Sequence, residues 1–181
     1  TVATTLYMSQ LTIGVALLAM GPRGQPRASI PEAGVDSRAE SFRLIYQRGV
    51  WGASGGGSGT GSSPGASAGA AAILSTVVHA LGVRAVVDAP SGAMMWQREW
   101  LLSSVCRGAG ASGCLNVSYV GLDIVPSFVE SNRRWLDERL PGQGHRSASA
   151  DIVAEPLPAP PGALVLCRDA LQHNSLGDVR A

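Results

Sequence analysis

The chain has 181 residues, a formal net charge of +1 and only 15% charged side chains, a size suited to one domain with its own core. So balanced a charge gives no electrostatic case for nucleic acid, which usually demands a clustered basic face. All 14 basic residues are arginine, which excludes a Walker-type phosphate lysine, a Schiff-base lysine and a lysine general base.

In chain order, Leu11 to Met20 is a short apolar run, and extending it back to Leu6 adds Ser, Gln and Thr. A membrane-spanning helix needs about 20 apolar residues. Residues 6–20 therefore read either as a signal-anchor or signal-peptide core, giving a membrane contact, or as a terminal helix resting on the domain. Gly21 to Val35 is rich in Pro and Gly and predicts a linker. Two regions are expected, 1–40 and 41–181. Glu40 to Trp51 predicts a short helix and a turn. Ala53 to Ala68 is almost wholly Gly, Ser, Ala and Thr, and Gly55 to Gly57 by itself reads as flexible linker. Ala70, Ile73, Leu74, Val77, Val78 and Leu81 then recur with helical period and predict one apolar face, with Gly82 as the residue after the helix.

The segment AVVDAPSGAMMW, Ala85 to Trp96, organises the rest. Its β-branched run ends at Asp88, turns through Pro90, Ser91 and Gly92, and leads into a helix over Ala93 to Cys106. A buried strand ending at an acid before a glycine turn is the first unit of a doubly wound sheet, in which ligands bind beyond the carboxyl ends of the strands. Leu115 to Leu122 predicts strand two, ending at Asp123. Pro126 suits the first turn of the next helix, with Phe128, Val129, Trp135, Leu136 and Leu140 on one face. Ser147 to Ile152 is a weak third strand carrying Asp151, Ala154 to Pro161 a Pro-rich loop, and Ala163 to Cys167 a fourth strand ending at Arg168-Asp169. Leu171 begins a further helix. The alternation predicts an α/β fold, a Rossmann-like doubly wound parallel sheet of about four strands.

An acid after strand two is where nucleotide-binding sheets hold a ribose diol, so Asp123 is either that group or a turn acid capping the next helix. Gly92 allows close backbone approach to a ligand. The turn lacks the G-x-G-x-x-G of nicotinamide-dependent oxidoreductases. Asp169 and His173 stand four apart, on one face if helical. His173 then serves as a general base, or it packs while Asp169 caps. His79 and His145 are expected to face solvent. Cys106, Cys114 and Cys167 lack metal-ligand spacing, and no metal is expected. Cys106 and Cys114 flank a small-residue loop and could pair in an oxidising compartment, but reduced thiols are the expectation for a cytoplasmic chain.

Six segments carry a resemblance: Trp51-Gly52, SGTGSS at Ser58 to Ser63, DAPSGAMMW, YVGLDIV at Tyr119 to Val125, DIVAEPLP at Asp151 to Pro158, and LCRDALQH at Leu166 to His173. In this order and spacing, from about Ser41 onward, the chain resembles class I S-adenosylmethionine-dependent methyltransferases, within an uncharacterised bacterial and algal subgroup. It departs from that pattern at Ser91, where the subgroup has Cys, and at Ala93, where it has an acid. The resemblance implies S-adenosyl-L-methionine as cofactor. Asp88 would face its amino acid tail, directly or through turn amides and water, with Ala89 and Gly92 of the same turn lining the cofactor, and Ser58 and Gly59 would close over the carboxylate as a nest of backbone N–H groups. Asp123 and Ile124 would meet the ribose, Asp151 and Ile152 the adenine, though a solvent-facing loop acid is the other reading of Asp151. Arg168, Asp169 and His173 would lie beside the methyl group, and Trp51 would pack on the cofactor or bury. It further implies a seven-stranded sheet of which the last three strands are missing, so the chain reads as truncated at the C-terminus. The implied activity is methyl transfer to an unknown small-molecule or macromolecular acceptor. The competing expectations are a non-catalytic or truncated module and, further off, a nicotinamide-dependent oxidoreductase.

Overall fold

The computed structural model describes residues 35–52, 54–106, 113–170 and 173–174. The predicted apolar segment 6–20, the linker up to Gly34, most of the loop after Cys106 and nearly all of the expected C-terminal helix lie outside the described residues. Helix α1 spans Val35–Gln47, beginning before the predicted Glu40. Two single 3-10 turns follow, Ser54–Gly57 and Thr60–Ser62. Helix α2 spans Pro64–Ala80, strand β1 Ala85–Asp88, α3 Met95–Ser104, β2 Ser118–Asp123, α4 Pro126–Arg139, β3 Arg146–Ser149 and β4 Leu164–Leu166.

The four strands form one parallel sheet in the order β3-β2-β1-β4. Chain order runs from β1 outward to β3 and then jumps back past β1 to β4. The reversal places the topological switch point between β1 and β4, and in doubly wound sheets ligands bind in the crevice beyond the strands' carboxyl ends at such a point.

Side chains alternate across the sheet with period two. Val86, Tyr119, Leu164 and Leu166 face one way and pack with Leu74 and Val78 of α2, Trp96, Trp100 and Leu101 of α3, and Leu136 of α4. Ala85, Val87, Val120 and Leu122 face the other way. Among the described residues, this second face is covered by no helix. Ile152, Leu157 and Ala159 of the extended β3–β4 connection lie on it. The four prolines of that connection explain why no crossover helix forms, since Pro lacks an N–H and clashes inside a helix. Small residues on this face suit a thin extended cover.

Several expectations change. The low-complexity stretch is not all linker. Pro64 to Ala68 opens α2, with Pro64 in the first turn and Ser63 Oγ accepting from the Ala66 N–H at 3.4 Å. Only part of the apolar stripe of α2 is buried: Leu74 and Val78 are 3% exposed, whereas Ile73 is 46% and Leu81 50% exposed. α3 lies against one side of α2, and an arc as wide as the stripe exceeds one neighbour. Cys106 and Cys114 form a disulfide rather than reduced thiols, beside a bridge pairing Val105 with Leu115 that brings the two ends of the loop together. Cys167 is a half-buried free thiol whose pKa is raised by burial. No α-helix starts at Asp169, which has a left-handed φ of 55°.

His145 is half-buried rather than solvent-facing. β2 pairs with β3 from Val120 onward, and the next N–H back, Tyr119, donates to His145 Nδ1 at 3.0 Å. The imidazole thus extends the ladder by one bond, and burial lowers its pKa. His145→Ala leaves a part-buried N–H without an acceptor and is expected to lower stability by about 1–2 kcal/mol. Urea unfolding at neutral pH measures it, and an unchanged midpoint would show that water replaces the ring.

Candidate functional site

The carboxyl ends of the strands gather four acids: Asp88, Asp123, Asp151 and Asp169. Three are buried, at 1%, 3% and 3% exposed, and only Asp169, at 27%, reaches solvent.

Asp88 points inward. Its Oδ2 accepts from Tyr119 Oη at 2.6 Å and from Gln97 Nε2 at 2.7 Å. Burial pushes its pKa up to about 6 against those two bonds. It anchors β1, β2 and α3 together. Ala89, 1% exposed, donates its N–H to Leu166 O and so ties the turn to β4.

Asp123 braces the turn after β1. Its Oδ2 accepts from the Gly92 N–H at 2.8 Å and its Oδ1 from the Val125 N–H at 2.9 Å, at the entrance of α4. Burial raises this carboxyl to about 6 as well, with the backbone N–H groups, that of Ile124 among them, opposing. Each oxygen keeps a further lone pair, so the two readings of this acid, ligand group and helix-entrance acceptor, are compatible. The same turn is held from its other side. Asn132 Nδ2 donates to Gly92 O at 2.8 Å, and Gln97 Nε2 to Ser91 O at 3.1 Å. Gly92 adopts φ 55°, and a Cβ there would lie 3.2 Å from Ser58 Oγ. Ser91 packs over Gly121, where a Cβ would lie 3.2 Å from the Ser91 hydroxyl, which has no partner among the described residues. Met94, at the start of α3, is also left-handed with φ 53°. Non-glycine residues held in that region cluster at functional turns, and Met94 and Asp169 lie beyond the two strands that flank the switch point.

Asp151 lies just past β3. Its Oδ1 accepts from the Val153 N–H at 3.0 Å and its Oδ2 from Arg38 Nε at 2.9 Å. It is a buried, paired acid, not a solvated loop residue. Ile152 is half-buried beside it.

The segment Ser58 to Ser63 arches over the β1 turn, with Ser58 Oγ 3.5 Å from Tyr46 Oη and Gly59 buried. Arg168 holds this segment down. Its Nη1 donates to Ser67 Oγ at 2.9 Å, its Nη2 to Gly61 O at 2.8 Å, and its guanidinium lies 5.9 Å over the ring of Trp96. Nη2 is also 3.4 Å from Asp169 Oδ2. Arg168 is therefore a brace for the glycine segment. Arg168→Met keeps the stem and is expected to destabilise by about 1.5–3 kcal/mol, the worth of a hydrogen bond from a charged donor, and to open residues 58–63 to limited proteolysis before any cut in α4. Cleavage rates equal to those of the parent chain would reject the brace.

His173 does not share a helix face with Asp169. Its ring lies 4.7 Å from that of Trp51. Burial lowers its pKa, with Asp169 opposing, so the imidazole is neutral at pH 7. Trp51 in turn meets Tyr46 edge-on at 5.0 Å, and Tyr46 meets Phe128 at 4.4 Å. Ile124 is half-buried at the β2 end.

In residue type and position the set fits a ligand with a diol and an exocyclic amine, through Asp123 and Asp151. Room is limited by α1, which puts Tyr46 beside Gly92 and Arg38 on Asp151. Asp88 Oδ2 is taken up by Tyr119 and Gln97. Among the described residues, no group of three His, Cys, Asp or Glu is placed to hold a metal ion, and no helix is long and apolar enough to cross a membrane. A groove of about 240 Å3 runs between α2 and α3, lined by Ala68, Ala72, Trp96, Glu99 and Trp100. It follows the two helices rather than the strand ends.

Sequence reasoning missed Arg38, Tyr46, Gln97, Tyr119 and Asn132. One signal was available for Asn132. It stands three residues after Val129 and four before Leu136, on the apolar stripe of α4, and a buried amide there needs partners. Comparison with protein-family models, curated proteins and solved structures finds no match to this chain.

Proposed function

We propose that this chain is the cofactor-binding part of an S-adenosylmethionine-dependent methyltransferase. The observation that carries the reading is the sheet order β3-β2-β1-β4 with an acid, Asp123, at the end of β2 and bonded to the glycine turn after β1. That arrangement offers a diol acceptor and a close-approach backbone side by side at a switch point. When bound, the cofactor supplies an electrophilic methyl group on sulfonium. Asp123 accepts the ribose hydroxyls with its remaining lone pairs. Asp151 accepts the adenine amine, and the N–H groups of Ser58 and Gly59 meet the carboxylate. His173, neutral at pH 7, takes the proton of an acceptor hydroxyl or amine. Arg168 and Asp169 shape the wall beside it. Alignment and exclusion of water account for much of the rate in such a site.

A second reading, a non-catalytic module, is favoured by one observation: Asp88, Asp123 and Asp151 all have partners within the chain. Thermal melting with S-adenosylhomocysteine or NAD separates the readings, because a ligand bound only by the folded state stabilises by about 2.7 kcal/mol at a hundred times its Kd. A rise with S-adenosylhomocysteine alone is expected. No rise with either leaves the non-catalytic module, and a rise with NAD alone points to an oxidoreductase.

A further inference from the structure

The first described helix sits on the crevice and is held there by side chains. Arg38 bonds Asp151, and the two are 14% and 3% exposed. Tyr46 packs edge-on against Phe128 and meets Ser58, and Phe42 lies 6.2 Å from Trp51. On the outer side, Glu40 and Arg43 pair with each other in solvent. Among the described residues no backbone hydrogen bond joins α1 to a strand or to another helix. The bonds at its C-terminal end are all local turns, from Arg48, Gly49 and Val50 back to Leu44, Tyr46 and Ile45. Immediately beyond stand two left-handed glycines, Gly49 at φ 61° and Gly52 at φ 85°, positions that absorb backbone rotation with little steric penalty. A helix held through side chains opens more readily than a hydrogen-bonded sheet and its core, and its latch is a buried ion pair, Arg38 on Asp151.

We propose that α1 is a lid over the crevice, latched by Arg38 on Asp151, and that a ligand entering the crevice lifts it. The ligand's part rests on the cofactor reading above. Arg38 holds the carboxylate that the adenine amine would use, and Tyr46 lies beside the Gly92–Asp123 pair that the ribose would use. Latch and ligand therefore compete for the same groups. A site open only a fraction of the time binds with its intrinsic Kd divided by that fraction.

The test compares the full chain with Arg38→Gln and Asp151→Asn. Gln keeps much of the stem without the charge. Asn keeps an oxygen for the Val153 N–H and loses the charge that Arg38 meets, so either variant breaks the latch if the other fails to fold. Hydrogen exchange without ligand is expected to be about tenfold faster in α1 for both variants, with β1 and α4 unchanged. Calorimetric titration with S-adenosylhomocysteine is expected to show binding about three- to tenfold tighter for Arg38→Gln and no tighter for Asp151→Asn, which has lost the ligand's acceptor too. Unchanged exchange in α1 overturns the lid. Weaker binding by Arg38→Gln overturns it as well, since Arg38 would then be a ligand contact. If S-adenosylhomocysteine binds neither parent nor variants, the cofactor reading fails, and the exchange result alone decides the lid.

Discussion

Asp123→Ala is expected to lower the stability of the ligand-free domain by about 2–3 kcal/mol. Two buried N–H groups, of Gly92 and Val125, lose their acceptor, at about 1–3 kcal/mol each. Part of that loss is offset, because the native carboxylate is ionised at pH 7 against a pKa raised to about 6 by burial. Asp123→Asn keeps one acceptor oxygen and turns its amide toward the other N–H, so it is expected to lose about half as much or more. Urea unfolding of parent and variants at pH 7 measures the loss. Binding is a separate readout. If Asp123 also meets a ribose diol, the same alanine variant weakens S-adenosylhomocysteine by roughly tenfold to a hundredfold, at about 1.4 kcal/mol per decade. Lost stability with unchanged affinity would leave only the bracing role, and an unchanged unfolding midpoint would reject the brace.

Stability is expected to fall as pH rises from 4 to 7, and Asp88→Asn is expected to remove much of that slope. Asp88 and Asp123 each hold their proton more tightly when folded, near pH 6, than at the ordinary carboxyl value of 3.8. A carboxyl with a raised folded pKa contributes stability that is complete below the unfolded value and is lost as pH rises through the folded one. A shift of about two units corresponds to roughly 3 kcal/mol per group. The charge of Asp123 is part of what raises Asp88, so the two are coupled and the pair contributes less than the sum of its members. His145 and His173 act oppositely. Their folded pKa values are lowered, so their contribution is complete above 6.5 and is lost as pH falls. Asp88→Asn can place its oxygen where Oδ2 now accepts from Tyr119 and Gln97, without the buried charge. It is expected to be about 1–3 kcal/mol more stable than the parent at pH 7 and about equal at pH 4.5. Urea unfolding from pH 4.5 to 7.5 measures both, and a variant with the parent's slope would place the titration elsewhere.

The strand, turn and helix units were legible in the residues because their causes are local. A β-branched run makes β1, Pro126 opens α4 and Gly82 follows α2, whereas the opening of α2 at Pro64 was hidden in a stretch that reads as low complexity. Asp88, Asp123 and the Arg168-Asp169 pair stood at strand ends in the pattern and stand there in space. Side-chain roles were harder to read. Asp88 read as a ligand group, yet Tyr119 from the next strand and Gln97 from the next helix enclose it. Arg168 read as catalytic, yet its partners, Gly61 and Ser67, lie in a stretch that looks like linker.

By itself, the sequence determined the alternation of strands and helices, the parallel α/β class and the acids along its edge, since hydrophobic period and turn chemistry act over a few residues. Tertiary structure alone decided which atoms those acids face. The clearest case is Asp151, whose partner Arg38 comes from 113 residues away. Arg38 stands before Glu40, where the sequence pattern places the start of α1, and nothing local assigns it a partner. Only the path of the chain across the sheet brings α1 over the strand ends, and only there does desolvation make an exposed-looking pair into a buried one. The ring of Tyr46 beside Gly92 and the extended cover on the second face have the same origin. Each depends on distances between segments that no local pattern encodes.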